Sequence, residues 1–213
     1  MAEVKAVSKD GIAVHTEAGD LPALHETIAS LFAAQGNWER AYQHLRSALE
    51  RDSLTASYNR RYLDRRLAQL ADGEVAVAMV DIDLFKDVND TFGHLVGDRV
   101  LRSVAALLKH ELPRGAFCAR YGGEEFVLVM PGLGVREALR VAERTRLRVA
   151  RHAWQRLRSG LAVTVSIGLT TKPGRAEERL LEADALLYTA KHAGRNVVAY
   201  PDSENLRHIR HSG

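Results

Sequence analysis

The stretch Arg120-Tyr-Gly-Gly-Glu-Glu-Phe126 joins two short runs, residues 116–120 and 126–130, that have the composition of β-strands. Two such runs separated by a glycine pair predict a β-hairpin. Gly122 and Gly123 remove both Cβ atoms at its tip and permit positive φ, so the backbone can approach a ligand closely. Glu124 and Glu125 follow at once. The same tetrapeptide also suits an ordinary turn with solvent-facing glutamates.

The sequence around this hairpin has a mixed α/β pattern. We expect helices over residues 54–72, 100–112, 136–157 and 177–192, and strands over 75–82, 161–169 and 196–200. From Val75 the order is strand, helix, helix, strand, strand, helix, strand, helix, strand. An antiparallel hairpin inside this alternation predicts an α/β (α+β) fold with a ferredoxin-like, nucleotidyl-cyclase-like central sheet and flanking helices.

Composition narrows the classes of protein that fit. The 213 residues suit one full domain plus a short extra segment. A formal net charge of +3, with no dense basic run, does not favour a nucleic-acid partner. The single cysteine, Cys118, excludes an internal disulfide and a zinc cluster. No window reaches the roughly 18 apolar residues of a membrane span, so we expect a cytoplasmic protein.

The N-terminal part has a different pattern from the rest. Residues 1–19 lack periodicity and are predicted to be a loose tail. Two helical patterns follow, formed by Leu21, Leu24, Ile28, Leu31 and Phe32 and, after the break at Gly36-Asn37, by Trp38, Ala41, Leu45 and Ala48. This hairpin resembles one tetratricopeptide repeat, which cannot bury its own face alone. Residues 1–50 are therefore predicted to serve regulation, dimerisation or a protein partner, with a domain over 51–201 and a C-terminal tail over 202–213.

An acidic cluster, Asp81-Ile82-Asp83-Leu84-Phe85-Lys86, ends the first predicted strand of this domain. Strand alternation sends Asp81 and Asp83 to one face, and oxygen ligands suit Mg²⁺. A solvated acidic strand end is the alternative interpretation. If the hairpin strand pairs beside this strand, Glu124 can reach an ion held by Asp81. That arrangement serves in-line attack at phosphorus.

A basic cluster, Lys191-His-Ala-Gly-Arg195, ends the last predicted helix. The helix dipole favours cations there, and Gly194 suits a helix C-cap, which accounts for the cluster without any ligand. Binding of phosphate groups is the functional alternative.

Taken together, the motifs are recognisable as those of a known family. They are Asp52-Ser-Leu-Thr55, Asn59-Arg60-Arg61, Asp81-Ile-Asp83, Phe85-Lys86, Asn89-Asp90, Gly93-His94, Gly97-Asp98, Arg120-Tyr-Gly-Gly-Glu-Glu-Phe126, Val165-Ser-Ile-Gly168 and Lys191-His-Ala-Gly-Arg195-Asn196. In this order they resemble the GGDEF family of diguanylate cyclases, in its GGEEF variant. The resemblance is collinear over residues 51–201.

The resemblance implies a role for each matching residue. Asp81 and Glu124 would coordinate a divalent metal, Mg²⁺ or Mn²⁺, together with the Ile82 carbonyl. Glu125 would assist a second metal or deprotonate the attacking 3′-hydroxyl, which makes Asp81, Glu124 and Glu125 the catalytic set. The substrate would be held at Leu84, Phe85, Lys86, Asn89, Asp98, Gly122, Gly123, Lys191 and Arg195.

The implied substrate is GTP, and the implied product is cyclic di-GMP. If Asp98 lies in the base pocket, its carboxylate accepts from guanine N1–H and the exocyclic amine, a donor pair that adenine lacks. Each domain holds one GTP, so the implied active enzyme is a homodimer. The alternatives are a catalytically silent domain that binds GTP or a partner, an interaction protein acting through residues 1–50, and another nucleotidyl cyclase.

Two positions depart from the family pattern. The usual Leu-Thr-Gly-Leu turn is Leu54-Thr55-Ala56-Ser57 here, and alanine tolerates positive φ poorly. We expect either a helix cap by Thr55 or Ser57, or mild strain. The Arg-x-x-Asp at which many members bind product and are inhibited is replaced by Pro113-Arg-Gly-Ala116. We therefore expect no product inhibition at that site.

Overall fold

A computed structural model describes residues 3–7, 13–17, 21–70, 73–201 and 207–208. The chain divides into two compact units, Met1–Ala56 and Ser57–Gly213. The predicted boundary after residue 50 lies close to this division, and the assignment of roles to the predicted domains stays a prediction. No helix among the described residues is long and apolar enough to cross a membrane. The cytoplasmic location also stays a prediction.

The first unit begins with two short strands. They are β1 (Glu3–Val7) and β2 (Ala13–Glu17), which pair antiparallel with Val4 opposite Thr16 and Ala6 opposite Val14. The prediction of a loose tail over residues 1–19 was therefore wrong for these ten residues. Each strand is only five residues long, and an alternating pattern this short is hard to tell from an irregular segment.

Two helices complete the first unit, α1 (Leu21–Ala34) and α2 (Trp38–Glu50). They pack against each other across a turn in which Gly36 has φ 72°, a conformation that favours glycine. The Asn37 side chain caps α2 by accepting from the backbone N–H of Arg40. Ala29 and Ala41 are buried. The likeness to a tetratricopeptide repeat stays a prediction.

The second unit is built on one mixed sheet with the strand order β4-β5-β3-β6-β7-β8. The strands are β3 (Val75–Ile82), β4 (Phe117–Arg120), β5 (Glu125–Pro131), β6 (Val165–Thr170), β7 (Val198–Tyr200) and β8 (Arg207–His208). Every pairing is antiparallel except β6 with β7. β8 lies within the stretch that was predicted to be a C-terminal tail, most of which is outside the described residues.

Five α-helices in the described part of the second unit flank this sheet. They are α3 (Arg60–Gln69), α4 (Phe85–Phe92), α5 (His94–Glu111), α6 (Val135–Ala150) and α7 (Ala176–His192), with a short 3₁₀-helix at Trp154–Arg156 after α6. The predicted order of elements from Val75 to Tyr200 is confirmed, and so is the fold class.

Two predicted helices are shorter than expected. The helix expected over 54–72 begins at Arg60, because Tyr58 forms a β-bridge with Ala119 and the Asn59 side chain caps the helix by accepting from the backbone N–H of Tyr62. Its predicted end at residue 72 lies outside the described residues. The helix expected over 136–157 ends at Ala150, and the indole of Trp154 donates to the Val149 carbonyl.

Strand β3 lies inside the sheet, where it pairs with β5 and β6 and packs against α7. All eight of its residues are buried. Helix α7 packs on β3 and β6, and it does so closely at Gly168, where a Cβ atom would lie 2.1 Å from the Ala183 carbonyl oxygen. Only glycine permits this approach. The close packing fixes the line of α7, whose last turn lies beside the carboxyl end of β3.

The turn at residue 56 resolves one of the expected alternatives. Ala56 has φ 52°, in the left-handed region. Thr55 does not begin a helix; its backbone N–H and its hydroxyl both donate to Asp52 Oδ1, at 2.9 and 2.7 Å. The turn is therefore strained at Ala56, where the family pattern has glycine. Such a conformation costs a non-glycine residue about 1–2 kcal/mol.

Candidate active site

Three carboxylates gather where β3 and β5 run side by side. Asp81 is paired across the sheet with Glu125, and the backbone N–H of Ile82 donates to the Glu124 carbonyl at 3.4 Å. Asp81 is buried, whereas Glu124 and Glu125 are half-buried. The two strands bring together the acids that the sequence analysis placed in one site.

Lys191, in the last turn of α7, contacts this acidic group. Its ammonium nitrogen lies 2.7 Å from Asp81 Oδ2. Burial nevertheless raises the pKa of Asp81 to about 6, because loss of hydration outweighs the stabilising charge of Lys191. Burial also raises the pKa of Glu124, while Lys191 lowers it and Glu125 raises it. Three carboxyl groups thus lie near one lysine ammonium, and burial is the main reason that two of them have raised pKa values.

The two glycines of the hairpin loop serve different purposes. Neither Gly122 nor Gly123 has positive φ, so the loop does not use the positive φ that the two glycines permit. At Gly122 a Cβ atom would lie 2.5 Å from Glu125 Oε2, so its hydrogen makes room for that carboxylate. A Cβ atom at Gly123 would meet nothing within 4 Å. The Gly123 carbonyl accepts from the Arg120 guanidinium at 2.7 Å and 3.2 Å, which fixes the loop.

Asp81 and Asp83 do not share a role, although strand alternation suggested a common face. Both carboxylate oxygens of Asp83 are engaged, one by the Ser166 hydroxyl at 2.6 Å and the other by the Thr164 hydroxyl at 2.6 Å. The second oxygen also accepts from the backbone N–H of Asn196 at 3.0 Å. Asp83 thus accepts hydrogen bonds from groups inside the protein. Of the two aspartates, only Asp81 contacts Lys191 in the acidic group.

The predicted phosphate-binding segment begins helix α4. Leu84 precedes the helix with φ 55° and ψ 34°, and its side chain makes no capping hydrogen bond. Phe85 is buried, while the Lys86 ammonium is exposed and lies 3.2 Å from Asp90. A helix N-terminus with no side-chain cap offers backbone N–H groups to an anion. Strain at a non-glycine residue such as Leu84 is typical of functional sites.

The predicted guanine contacts, Asn89 and Asp98, lie on the two helices that meet at Gly93. Helices α4 and α5 pack closely at Gly97, where a Cβ atom would lie 2.0 Å from Asn89 Oδ1. Gly97 therefore makes room for the Asn89 amide. Asp98 is the next residue and is half-buried. Asn89 and Asp98 thus lie on two helices that pack together at Gly97, and their role as guanine contacts stays a prediction.

Arg195 follows the end of α7 in a turn with an unusual backbone. Three successive residues have positive φ: Gly194 at 107°, Arg195 at 60° and Asn196 at 48°. Arg195 is exposed, and its backbone N–H donates to the Ala190 carbonyl at 3.3 Å. Lys191 lies one helical turn before Arg195, so both cations belong to the same end of α7.

The donors at the end of β3 suit a hard divalent cation. Asp81 and Glu124 offer carboxylates, and Ile82, the residue after Asp81, offers a backbone carbonyl. In the described part of the chain, no three side chains of histidine, cysteine, aspartate or glutamate converge to form a ready-made metal cage. Mg²⁺ is typically held by one or two carboxylates together with phosphate oxygens and water. The residues therefore fit a metal that binds with a phosphate-bearing substrate.

The stretch that replaces Arg-x-x-Asp forms a tight turn. The backbone N–H of Ala116 donates to the Pro113 carbonyl at 3.1 Å, and Gly115 has φ 87°. Neither Pro113 nor Ala116 carries a charge, and Arg114 between them is exposed. The absence of product inhibition at this position stays a prediction.

The sequence analysis did not identify the buried residues that hydrogen-bond to Asp83 and Asn196 next to the site. Ser166 and Thr164 fix Asp83, and the buried Arg146 donates to the Asn196 side chain at 2.9 Å. Ser166 and Asn196 belong to two of the family motifs, but no role was predicted for either residue. An arginine at a position of α6 that faces the core is a signal that could have been noticed, because buried charges are almost always paired.

Comparison with known proteins shows the family of the chain. Residues 49–197 match the family described as diguanylate cyclase, GGDEF domain. The chain is 42% identical over 158 residues to the response regulator PleD of Caulobacter vibrioides, covering 69% of this chain and 35% of PleD. It is 37% identical over 186 residues to the diguanylate cyclase DgcP of Pseudomonas aeruginosa, covering 84% of this chain and 28% of DgcP.

Solved structures give the same result. The coiled coil and GGDEF domain of DgcB from Caulobacter crescentus, solved in complex with c-di-GMP, superposes with a TM-score of 0.71 at 32% identity and covers 84% of this chain and 100% of that one. The active GGEEF domain of a diguanylate cyclase from Vibrio cholerae superposes with a TM-score of 0.62 at 30% identity, covering 68% of this chain and 97% of that one.

The chain therefore belongs to the GGDEF family of diguanylate cyclase domains. It spans 35% and 28% of the length of the two curated relatives above.

Proposed function

We propose that this chain is a metal-dependent diguanylate cyclase that condenses two GTP molecules into cyclic di-GMP and two pyrophosphates. The observation that carries the proposal is the acidic group of Asp81, Glu124 and Glu125 at the paired ends of β3 and β5, contacted by Lys191. Excess negative charge in a partly buried site suits a cation and a phosphate-bearing substrate.

Asp81, Glu124 and the Ile82 carbonyl would hold the divalent cation, Mg²⁺ or Mn²⁺. When bound, the metal neutralises the triphosphate and polarises the attacking hydroxyl. Lys191 and Arg195, from one end of α7, would contact the β- and γ-phosphates. The first turn of α4, at Leu84, Phe85 and Lys86, supplies uncapped backbone N–H groups and one exposed ammonium to the same phosphates.

Glu125 is the proposed proton acceptor. It takes the proton of the 3′-hydroxyl of one GTP as that oxygen forms a bond to the α-phosphorus of the second GTP. The bond between the α-phosphorus and the bridging oxygen breaks, and pyrophosphate leaves. The same step with the two nucleotides exchanged closes the ring. Gly122 gives the Glu125 carboxylate its room, since a Cβ atom would lie 2.5 Å from it.

Asn89 and Asp98 are the proposed guanine contacts. The Asp98 carboxylate accepts from N1–H and the exocyclic amine of guanine, and adenine presents no matching donor pair. A site built for these donors rejects a base that lacks them, because its polar groups are left unpaired. An unchanged preference for GTP over ATP after Asp98→Ser contradicts this assignment.

The active form is proposed to be a homodimer, since each domain holds one nucleotide and the reaction joins two. The first unit is the proposed regulatory or dimerisation segment, or the site of a protein partner. Large apolar side chains are exposed at helical spacing along α2, namely Trp38, Tyr42, Leu45 and Leu49. A related protein, the diguanylate cyclase SiaD, has been solved in complex with its activator SiaC.

We also propose that product does not inhibit this enzyme through the usual Arg-x-x-Asp position, because Pro113 and Ala116 stand there. The check is binding of cyclic di-GMP to nucleotide-free protein. Sub-micromolar affinity that is abolished by changing Arg114 contradicts the proposal.

A cyclase assay with GTP and Mg²⁺ at several protein concentrations tests the function. We expect cyclic di-GMP, with activity per protomer that rises with protein concentration. Glu125→Gln should lower turnover by about 10²-fold or more, whereas Glu177→Gln, at an exposed position of α7, should leave it unchanged. No product from the wild-type chain at high concentration favours a catalytically silent domain. Equal activity together with an unchanged oligomeric state after deletion of residues 1–50 excludes a regulatory or dimerising role for that segment.

A further inference from the structure

The turn after α7 has a conformation that the chain does not adopt without support. Arg195 and Asn196 both have left-handed φ, at 60° and 48°. Only glycine populates this region freely, although asparagine tolerates it better than most residues. Two successive non-glycine residues in this conformation persist only where surrounding contacts hold them.

Asn196 provides those contacts through its backbone and its side chain. Its backbone N–H donates to Asp83 Oδ2 at 3.0 Å and to the Ser166 hydroxyl oxygen at 3.2 Å. Its side-chain Oδ1 accepts from Arg146 Nη1 at 2.9 Å. Asn196 is thus bonded to the end of β3, to β6 and to α6 at once.

The groups that hold Asn196 are themselves fixed in the interior. Asp83 and Arg146 are 7% and 5% exposed. Asp83 accepts from Thr164 and Ser166, each at 2.6 Å. The guanidinium of Arg146 also contacts Glu143 Oε2 at 2.9 Å, so its charge is paired within α6. A buried, paired network of this kind has little freedom to move.

The network reaches the proposed phosphate-binding cations through the peptide chain. Arg195 directly precedes Asn196, and the Arg195 backbone N–H returns to the Ala190 carbonyl, next to Lys191. Fixing the peptide of Asn196 therefore fixes the backbone direction from which the Arg195 side chain leaves. The side chain of Arg195 itself is exposed and has no described protein partner of its own.

We propose that Asn196 is a positioning residue for phosphate binding, acting through Arg195 and anchored by Asp83 and Arg146. This inference rests on the proposed function, in which Arg195 contacts the outer phosphates of GTP. Asn196 touches no substrate. When Asn196 is changed, the loss of nucleotide affinity should depend on the number of phosphates in the nucleotide. A general loss of folding does not produce such a dependence.

Asn196→Gly is the informative variant. Glycine keeps the backbone N–H and adopts positive φ, but it removes the acceptor for Arg146. We expect the affinity for the non-reactive analogue guanosine 5′-(α,β-methylene)triphosphate to fall about tenfold, with the affinity for GMP within about twofold of wild type. Calorimetry with Mg²⁺ measures both, and thermal unfolding shows that the variant is folded.

Asn196→Asp is the conservative comparison. Aspartate keeps an acceptor for Arg146 and tolerates the left-handed region, so it should restore most of the lost analogue affinity. If Asn196 acts through Arg195, then Asn196→Gly should add little to the loss already caused by Arg195→Ala. Full additivity of the two changes contradicts the proposal, because independent sites add and coupled sites do not.

The outcomes separate this inference from the proposed function. A wild-type chain that neither binds the analogue nor forms cyclic di-GMP overturns both. A wild-type chain that does both, with an Asn196→Gly variant that binds the analogue equally well, overturns the positioning role alone. If Asn196→Gly loses equal affinity for the analogue and for GMP, Asn196 serves folding in general, and the positioning role is overturned.

Discussion

The ammonium nitrogen of Lys191 lies 2.7 Å from a carboxylate oxygen of Asp81, a residue that is 4% exposed. Burial raises the pKa of Asp81 to about 6 even with this partner in place. One lysine thus incompletely compensates an acidic group that also contains Glu124 and Glu125. A divalent cation at Asp81 would supply the missing positive charge and free Lys191 for the phosphates of the substrate.

Asp81→Asn is expected to stabilise the metal-free protein while abolishing cyclase activity. The pKa of Asp81 rises from 3.8 to about 6 on folding. The folded state therefore holds the proton more tightly, and stability falls as pH rises from about 4 to about 6. Above that range the buried, ionised carboxylate of Asp81 destabilises the folded state, and a neutral asparagine does not. We expect a gain of roughly 1–3 kcal/mol at pH 7.5 in urea unfolding with a chelator present.

The pH dependence provides the control for this prediction. The difference between Asp81→Asn and wild type should shrink at about pH 4, where the wild-type carboxyl is protonated in the folded state. Asp184→Asn, at an exposed position of α7, should change stability by no more than about 0.5 kcal/mol at either pH. An Asp81→Asn variant that is less stable than wild type at pH 7.5 contradicts the argument.

Gly122→Ala should lower the proposed cyclase activity without unfolding the protein. The added methyl group would lie 2.5 Å from Glu125 Oε2 and must displace that carboxylate, which is the flexible end of a side chain. Since Glu125 is the proposed proton acceptor, we expect turnover to fall at least about tenfold. Pyrophosphate release measures turnover.

Gly73→Ala, at a glycine outside the proposed site, is the matched control for that variant. Gly73 is exposed and does not have positive φ, and an added Cβ atom would make only ordinary van der Waals contacts, at 3.8 Å and 4.0 Å. Turnover should stay within about twofold of wild type, because a change at an exposed surface position rarely matters. Equal losses in the two variants contradict the assignment of the Gly122 effect to Glu125.

Gly97→Ala should weaken GTP binding by displacing the Asn89 amide. The added methyl group would lie 2.0 Å from Asn89 Oδ1. Because Asn89 is a proposed guanine contact, the Michaelis constant for GTP should rise about tenfold or more, and Asn89→Ala should show a loss of the same order. Combining the two changes should add little, since the methyl group acts through the amide. A strictly additive double variant contradicts this role for Asn89.

Ala56→Gly should stabilise the protein by about 0.5–1 kcal/mol, since Ala56 has φ 52° and glycine adopts this conformation without strain. The same replacement at Ala68, an exposed position inside α3, should destabilise by about 1 kcal/mol. Chemical unfolding of the two variants gives the comparison. Changes of the same sign contradict the assignment of strain to residue 56.

Much of the fold could be predicted because its signals are local. The strand Val75–Ile82 was predicted with its observed bounds, since a short apolar run between a glycine and an acid is typical of a buried strand. The hairpin around Gly122 followed from its flanking runs. Helix α3 was predicted to begin too early, because the pairing of Tyr58 with Ala119 is a contact between distant residues.

The sequence predicted which residues form the site, but not the different contacts that each of them makes. Asp81 and Asp83 look alike in sequence, and only the hydrogen bonds from Thr164 and Ser166 show that Asp83 is engaged inside the protein. The reason for Gly122 was also hidden, because it lies in the space occupied by Glu125 rather than in the backbone conformation. Such information belongs to distances, which a linear pattern does not contain.

The position of β3 at the centre of the sheet has a consequence for how the protein forms. β3 ends at Ile82, yet it pairs with β5, which ends at Pro131, and with β6, which ends at Thr170. A chain emerging from the ribosome exposes this apolar strand long before its second neighbour is synthesised. Pairings between distant segments are slow and leave edges open to aggregation. Translation speed and chaperone supply should therefore affect the yield of this domain.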